Sequence, residues 1–393
     1  MNYILFDDET RESLKPLTYI RPVCDIRVGI LTIREKWEKY LGEKTSTITE
    51  DYLSVKYPTE ESEAMMLING SICPTESLVK QVKALKTGQT LMSEENVIIA
   101  MYKTKEEFLA EEDNSETIES KEEFIRIVNP WDIFVMNDRA IREDFALITK
   151  GRKSAKLSDT NKVLGAENVF VEEGAVVECA TLNAKEGPIY IGKDAEIMEN
   201  SVVRGPFAMC GHAVLKLSAK IYGATTLGPY AKVGGELANV VIFGYSNKAH
   251  DGFIGNSVIA EWCNIGADTN ASNLKNTYEE VRLWSIEKGT FVPTGQTFCG
   301  TIMGDHSKCG INTMFNTGTV VGVSANIYGH GYQRNYLPSF VWGGNSGLKT
   351  FEPEKAIEVA ERMYERRGMK MSDDDKRILL YVYRSTLKNK KLR

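Results

Sequence analysis

The stretch IGKDAEIMENSVVRGPFAMCGHAVLKLSAKIYGATTLGPYAKVGGEL, residues 191–237, repeats itself every six positions. An aliphatic residue opens each unit, and in most units a small or branched one follows four places later. The pairs are Ile191/Ala195, Ile197/Ser201, Val203/Phe207, Met209/Ala213, Leu215/Ala219, Ile221/Thr225, Leu227/Ala231 and Val233/Leu237. The register slips and returns as Ile254/Val258, Ala260/Asn264 and Gly266/Asn270. After a second interruption it runs Met303/Ser307, Cys309/Thr313, Phe315/Thr319 and Val321/Ala325. Strands alternate every second residue and helices repeat about every 3.6, so a sustained period of six matches neither alone. It matches a β-helix, in which each short strand turns one aliphatic side chain inward and a small residue lets the chain turn. We therefore expect a left-handed parallel β-helix from about Val163 to Tyr328, with three faces and coils of about 18 residues. Ile197, Leu215, Ile221, Leu227 and Val321 should point into its core.

Outward from the repeat, the 393 residues leave room for further domains with real cores. NYILF (2–6), TSTIT (45–49), AMMLING (64–70) and VIIAMY (97–102) read as strands, and Val28 to Leu41 and Ser77 to Leu85 as helices. Strands alternating with helices imply an α/β domain on a mostly parallel sheet. Residues 105–123 are rich in glutamate and read as a charged surface. Pro130-Trp131 to Thr149 reads as a connecting helix. Pro353 to Arg367 reads as a helix with Pro in its first turn and Gly368 at its end. Ser372-Asp373-Asp374-Asp375 opens another, whose basic end (Lys388, Lys390, Lys391, Arg393) suits a helix C-terminus. The expected division is 1–130 for the α/β domain, 131–162 for a connecting helix and linker, 163–345 for the β-helix and 346–393 for a helical tail.

A charge of −6, from 48 basic and 54 acidic residues, gives no reason to expect nucleic acid or an anionic membrane as partner. MNYILFDDETR has no basic-then-apolar signal pattern, and no stretch approaches the roughly 20 apolar residues that span a bilayer, so a cytoplasmic protein is expected. The seven cysteines include no CxxC pair and are expected to be reduced and structural. The four histidines, His212, His250, His306 and His330, are separated by 38, 56 and 24 residues. That spacing argues against zinc, whose ligands on a β-helix would lie on one coil or one coil apart, and no metal site is expected. His250 lies in Asn247-Lys248-Ala249-His250-Asp251, in the break between repeat runs, where loops on a rigid scaffold carry reactive groups. Imidazole is the side chain best suited to accept a proton near neutral pH.

The stretch KAHDGFIGNSVIAEWCNIGADTNASN (248–273) resembles the acceptor and acetyl-CoA region of the bifunctional UDP-N-acetylglucosamine-forming enzymes. Those join a nucleotidyltransferase domain to a left-handed β-helical glucosamine-phosphate N-acetyltransferase. The resemblance puts their catalytic histidine on His250, with Asn264 opening their N-x-G-A-G-T segment and Asn273 their following C/T-x-N. Asp268 stands where the family has glycine, and Phe253 where it has a tyrosine three residues after the histidine. Arg204, in Val203-Arg204-Gly205-Pro206, matches the family's phosphate-binding arginine. The front half resembles the same family through Thr10-Arg11, Leu14-Lys15-Pro16-Leu17-Thr18 and Arg21-Pro22. However, Phe6, Asp7, Asp8 and Glu9 replace the glycines of a nucleotide-phosphate loop, and Asn69-Gly70 replaces a Gly-Asp pair whose Asp binds Mg²⁺. The ensemble most resembles a divergent bacterial group in which a reduced nucleotidyltransferase domain precedes the β-helix.

The resemblance implies acetyl transfer from acetyl-CoA to an amino sugar phosphate in nucleotide-sugar synthesis; because one β-helix face buries little of a ligand, a site shared within a homotrimer is expected. His250 would be general base. The Asn273 amide or the backbone N–H near Ala267 would meet the oxyanion. Lys248 and Arg204 would attract the sugar phosphate, Asn264 would orient hydroxyls, and Phe253 would line the sugar site. Ala267, His306 and Ser307 would line the coenzyme groove. A second reading is a sugar-1-phosphate nucleotidyltransferase making a UDP- or dTDP-sugar with a nucleoside triphosphate and Mg²⁺, its β-helix serving oligomerisation. Arg11, Arg21 and Asn69 would then face the nucleotide. A third is a non-catalytic regulatory protein, for which Phe253 and the missing glycines speak.

Overall fold

The computed structural model describes residues 2–110 and 115–387. The basic end of the tail, Lys388 to Arg393, and part of the glutamate-rich stretch lie outside the described residues. The chain divides into two compact units. The first holds Met1–Leu14, Ile20–Ile26 and Leu31–Asn129, and the second holds Lys15–Tyr19, Arg27–Ile30 and Pro130–Arg393.

In the first unit, β1 (Asn2–Phe6), α1 (Ile33–Leu41), β2 (Thr45–Ile48), β3 (Ala64–Asn69), α2 (Glu76–Ala84), β4 (Gln89–Ser93), β5 (Ile98–Thr104) and β6 (Glu116–Ser120) follow one another. The sheet order is β2-β1-β3-β5-β4-β6. β1 runs parallel to β2 and β3, and β4 to β6, but β5 runs antiparallel to both β3 and β4. The sheet is therefore mixed rather than mostly parallel. β4 and β5 are joined by a tight turn at Asn96, which sits at φ 61°, and so short a connection can only reverse the chain. α1 starts at Ile33 rather than Val28, because Thr32 and Glu35 close a capping box there and Gly29 is left-handed at φ 76°. Its Trp37 is fully buried and donates its indole N–H to Ile72 O at 2.8 Å.

The long segment of the second unit opens with a helical turn, Asp132–Val135, and α3 (Asn137–Thr149). The expected single helix thus breaks at Met136. Asn137 Nδ2 donates to Ala224 O at 2.8 Å and its Oδ1 accepts from the Gly29 N–H at 2.8 Å, tying this segment to the repeat.

The repeat is a parallel β-helix, the fold class expected from the hexapeptide period. Strands of two or three residues stack coil upon coil, as in Ile189–Ile191 beside Phe207–Met209 beside Thr225–Leu227. Ile197, Leu215, Ile221, Leu227 and Val321 are each 1% exposed or less and share one continuous apolar core. The period slips where Glu236–Ile242 and Phe253–Ile259 run as seven-residue strands across two faces without a full corner. Ile242 consequently stacks on Leu227 and Ile259 on Ile242, short of a full coil. Inward residues there are Ile259, Ile265 and Ala271. The expected openers Ala260 and Gly266 fall one position late, because the uncut strand shifts the frame by one. The second interruption is an antiparallel hairpin, Arg282–Ser285 with Thr290–Pro293, after which Met303 stacks directly on Ile259.

At the far end Val341–Gly344 pairs with Asn326–Ile327 and folds back on Gly347–Thr350, closing an otherwise open strand edge. The tail follows as α4 (Pro353–Glu365) and α5 (Asp373–Thr386), the latter opened by the Ser372/Asp375 capping box. Ala356, Ala360 and Tyr364 recur at helical spacing on the buried face of α4.

Candidate active site

The corner between Asn247–Lys248 and Phe253–Ile259 carries His250. Its tightness comes from glycine: Gly235 (φ 76°) and Gly252 (φ 109°) are left-handed. A Cβ added at Gly235 would meet the His250 and Gly252 carbonyl oxygens at 2.8 Å. His250 is exposed on the rim of a cleft of about 610 Å³ in the second unit. Asn264 and Ala267 line the same cleft from the next coil, and Lys308 from the coil after the hairpin.

Trp262, on the cleft's wall, belongs to a longer ring stack. The rings of His212, Tyr230, Tyr245 and Trp262 pile along one corner of successive coils at 4.3–5.0 Å. Tyr364 of α4 then lies on Trp262 at 4.0 Å. That contact holds the end of α4 over the coils, so Met363, Arg366 and Arg367 line the cleft. Arg367 also donates to Asn247 Oδ1 at 3.1 Å.

Four cations, Lys232, Lys308, Arg366 and Arg367, line this space, and no carboxylate does so among the described residues. Burial and the neighbouring Arg367 and Arg366 pull Lys232 down from its usual range. Burial takes Lys308 down to about 8, and it also lowers Arg367, with Arg366 adding to the effect. Cations crowded and partly desolvated in this way gain most from an anion that bridges them.

The residues expected at a site separate into groups. His250, Asn264 and Ala267 come together. Phe253 lines a second recess of about 440 Å³ with Asp268, Asn270 and Tyr332. Asn273 donates to Asn256 Oδ1 at 2.8 Å, and both Asn273 and the Phe253 ring lie against Gly255. Arg204 is exposed, paired with Glu186 at 3.0 Å, and lines neither recess. Lys248 points into the core, where backbone carbonyls take its ammonium, so it has no face toward a sugar phosphate. Ser307 is fully buried, giving its hydroxyl to Gly322 O at 2.6 Å. His306 is 5% exposed within the aromatic stack. The expectation that these two line the coenzyme groove is therefore corrected, since their side chains are spent on packing.

In the first unit, Arg11 and Asn69 are both buried, each bonded to a different aspartate. Arg11 donates to Asp7 Oδ2 at 2.9 Å, to Tyr52 Oη at 2.9 Å and to the Arg21 carbonyl at 3.1 Å. Asn69 donates to Asp8 Oδ2 at 2.8 Å and accepts from Ser71. Arg21 is 4% exposed. Burial raises Asp7 despite Arg11. Burial also works against Asp8, but hydrogen bonds from Thr10, Asn69 and Arg126 outweigh it and hold that carboxyl low. Among the described residues no His, Cys, Asp and Glu side chains gather as a metal cluster.

Sequence reasoning missed the cleft cations and Trp262. The signal for Arg366 and Arg367 was present: an apolar stripe at Ala356, Ala360 and Tyr364 says that the helix docks, and the two arginines follow directly.

The chain carries an α/β unit on a mixed sheet, a parallel β-helix of hexapeptide repeats and a helical tail. Residues 3–153 match the family described as sugar nucleotidyl transferase. A bifunctional sugar-1-phosphate nucleotidylyltransferase/acetyltransferase of Sulfurisphaera tokodaii is 30% identical over 145 residues, 36% of each chain. The bifunctional protein GlmU of Methanococcus maripaludis is 26% identical over 203 residues, 51% of this chain and 42% of its own. The resemblance to bifunctional nucleotidyltransferase/acetyltransferases thus holds, while the chain spans less than half the length of these relatives. Among solved structures, the polySia-specific acetyltransferase NeuO aligns with 58% of this chain and 100% of its own at 16% identity, with a TM-score of 0.28.

Proposed function

We propose that the second unit is an N-acetyltransferase that moves the acetyl group of acetyl-CoA to the amine of an amino sugar phosphate. The observation that carries this is the solvent-facing imidazole of His250 on the rim of a cleft with four cations and no described carboxylate. An ammonium is no nucleophile, so the amine must give up a proton, and His250 is placed to take it directly or through water. The nitrogen lone pair then forms the C–N bond as the C–S bond breaks, and the thiolate leaves. The backbone N–H near Ala267 and the Asn264 amide supply hydrogen bonds on the same wall. Lys232, Lys308, Arg366 and Arg367 hold the coenzyme's phosphates. The cleft is open to solvent, which supports a site completed by neighbours in a homotrimer.

For the first unit we propose that nucleotidyl transfer is lost. Asp7, Asp8, Arg11 and Asn69 satisfy one another, and a triphosphate with Mg²⁺ would have to break those bonds before making its own. These residues do not fit the metal. The decisive experiment incubates the protein with acetyl-CoA and a panel of amino sugar phosphates and follows free thiol. Amine-dependent thiol release is expected, and none with any amine would overturn the reading.

A further inference from the structure

The column of inward residues on one β-helix face is apolar on both sides of a single exception. Leu215 and Val233 precede it, Ile265, Cys309 and Ile327 follow it, and between them stands Lys248, 1% exposed. An aliphatic residue here would continue the apolar column, whereas a buried ammonium is tolerated only if its protons are matched. They are matched: Nζ donates to Gly234 O at 3.3 Å, to Asp251 O at 2.9 Å and to the His250 carbonyl oxygen. An ammonium has three donors, and here three carbonyls meet them. Two of the three belong to the corner that carries His250. Burial lowers the amine to about 8, so it is mostly protonated at neutral pH.

Among the described residues the His250 imidazole has no hydrogen-bond partner of its own, so its direction is inherited from its backbone. That backbone is held from below by Lys248 and from the sides by the close approach at Gly235 and Gly252. We propose that Lys248 is a positioning residue: from inside the core it fixes the corner that aims His250 into the cleft. The inference rests on the proposed role of His250 and reassigns a lysine whose position in the chain suggests phosphate binding.

The test uses the full-length protein. Lys248→Met keeps the stem and removes the donors, and Lys248→Gln keeps part of the hydrogen bonding without charge. We expect kcat to fall about 10- to 100-fold in the Met variant and less in the Gln variant, with both KM values little changed. A purely structural lysine would lower stability and leave kcat alone, and a phosphate ligand would raise KM. An independent readout is available because the chain has only four histidines. With histidine labelled at Cε1 with carbon-13, the His250 signal, assigned by its loss in His250→Ala, should broaden or split in Lys248→Met while the other three stay put. A folded Met variant with wild-type kcat and an unchanged His250 signal overturns the proposal, as does failure of both variants to fold. If His250→Ala retains turnover, the catalytic reading falls. The spectrum still decides whether Lys248 orders the corner.

Discussion

His250 and His306 both stand at corners of the β-helix, yet their surroundings give them opposite work. His306 is stacked within 6.5 Å of Tyr364 and Trp262 and is almost wholly buried. His250 faces solvent. Replacing His250 by Ala should lower kcat by about 10²–10⁴ while leaving the unfolding midpoint in place. His306→Ala should do the reverse, lowering stability by removing stacked area with kcat nearly unchanged. Steady-state rates at saturating acetyl-CoA, paired with thermal melts, separate the two. Retained turnover in the first variant and lost turnover in the second would reverse the assignment. Lys248 adds a pH signature. Its folded value of about 8 lies below the ordinary 10.5 of the unfolded chain, so between these pH values the unfolded state binds more protons and stability rises with pH. Urea unfolding from pH 7 to 10 should show wild type gaining on Lys248→Met only within that window. Parallel curves would contradict the buried charge.

At the scale of elements, most of the coil stack was legible because inward and outward positions differ in kind. Leu227 could be placed in the core from its spacing to Leu215 and Ile221 alone. Leu227→Ala should cost about 2–5 kcal/mol in denaturant unfolding; a cost near zero would mean that the site collapses freely. What stayed hidden depended on strands that ignore the period. Glu236–Ile242 and Phe253–Ile259 erase corners, so the frame around Ala260 and Gly266 read one residue late, although His250 beside it could still be picked out by its chemistry. Lys248, at an aliphatic position, was expected to attract a sugar phosphate, because a sequence gives no depth for a break in the pattern. Arg366 and Arg367 lie more than a hundred positions beyond His250, and no repeat relates them to it. Only the docking of α4 through Tyr364 on Trp262 brings them to the cleft. The Arg366→Ala/Arg367→Ala double variant should raise the KM for acetyl-CoA about tenfold or more, and increasingly so at low salt, where wild type gains most. An unchanged KM would remove α4 from the site.

For the whole molecule, the proposed acetyl transfer calls for a trimer in which neighbours complete the His250 site. Light scattering should then return about three times the 44.0 kDa chain mass. A monomer at micromolar concentration would exclude a site shared between subunits. No helix among the described residues is long and apolar enough to cross a membrane. The hairpin at Arg282–Pro293 has a consequence for how such a chain could be altered. Met303 rests on Ile259 just as Val321 rests on Met303, so the stack closes above and below the excursion as though it were absent. The two walls of the cleft, Asn264 and Lys308, stay one strand spacing apart however long the detour between them. Gly289, at the tip, has open space around it. A reporter peptide or a small foreign domain spliced in there should ride on the solenoid without disturbing it, giving a handle for watching the protein in cells while its chemistry continues.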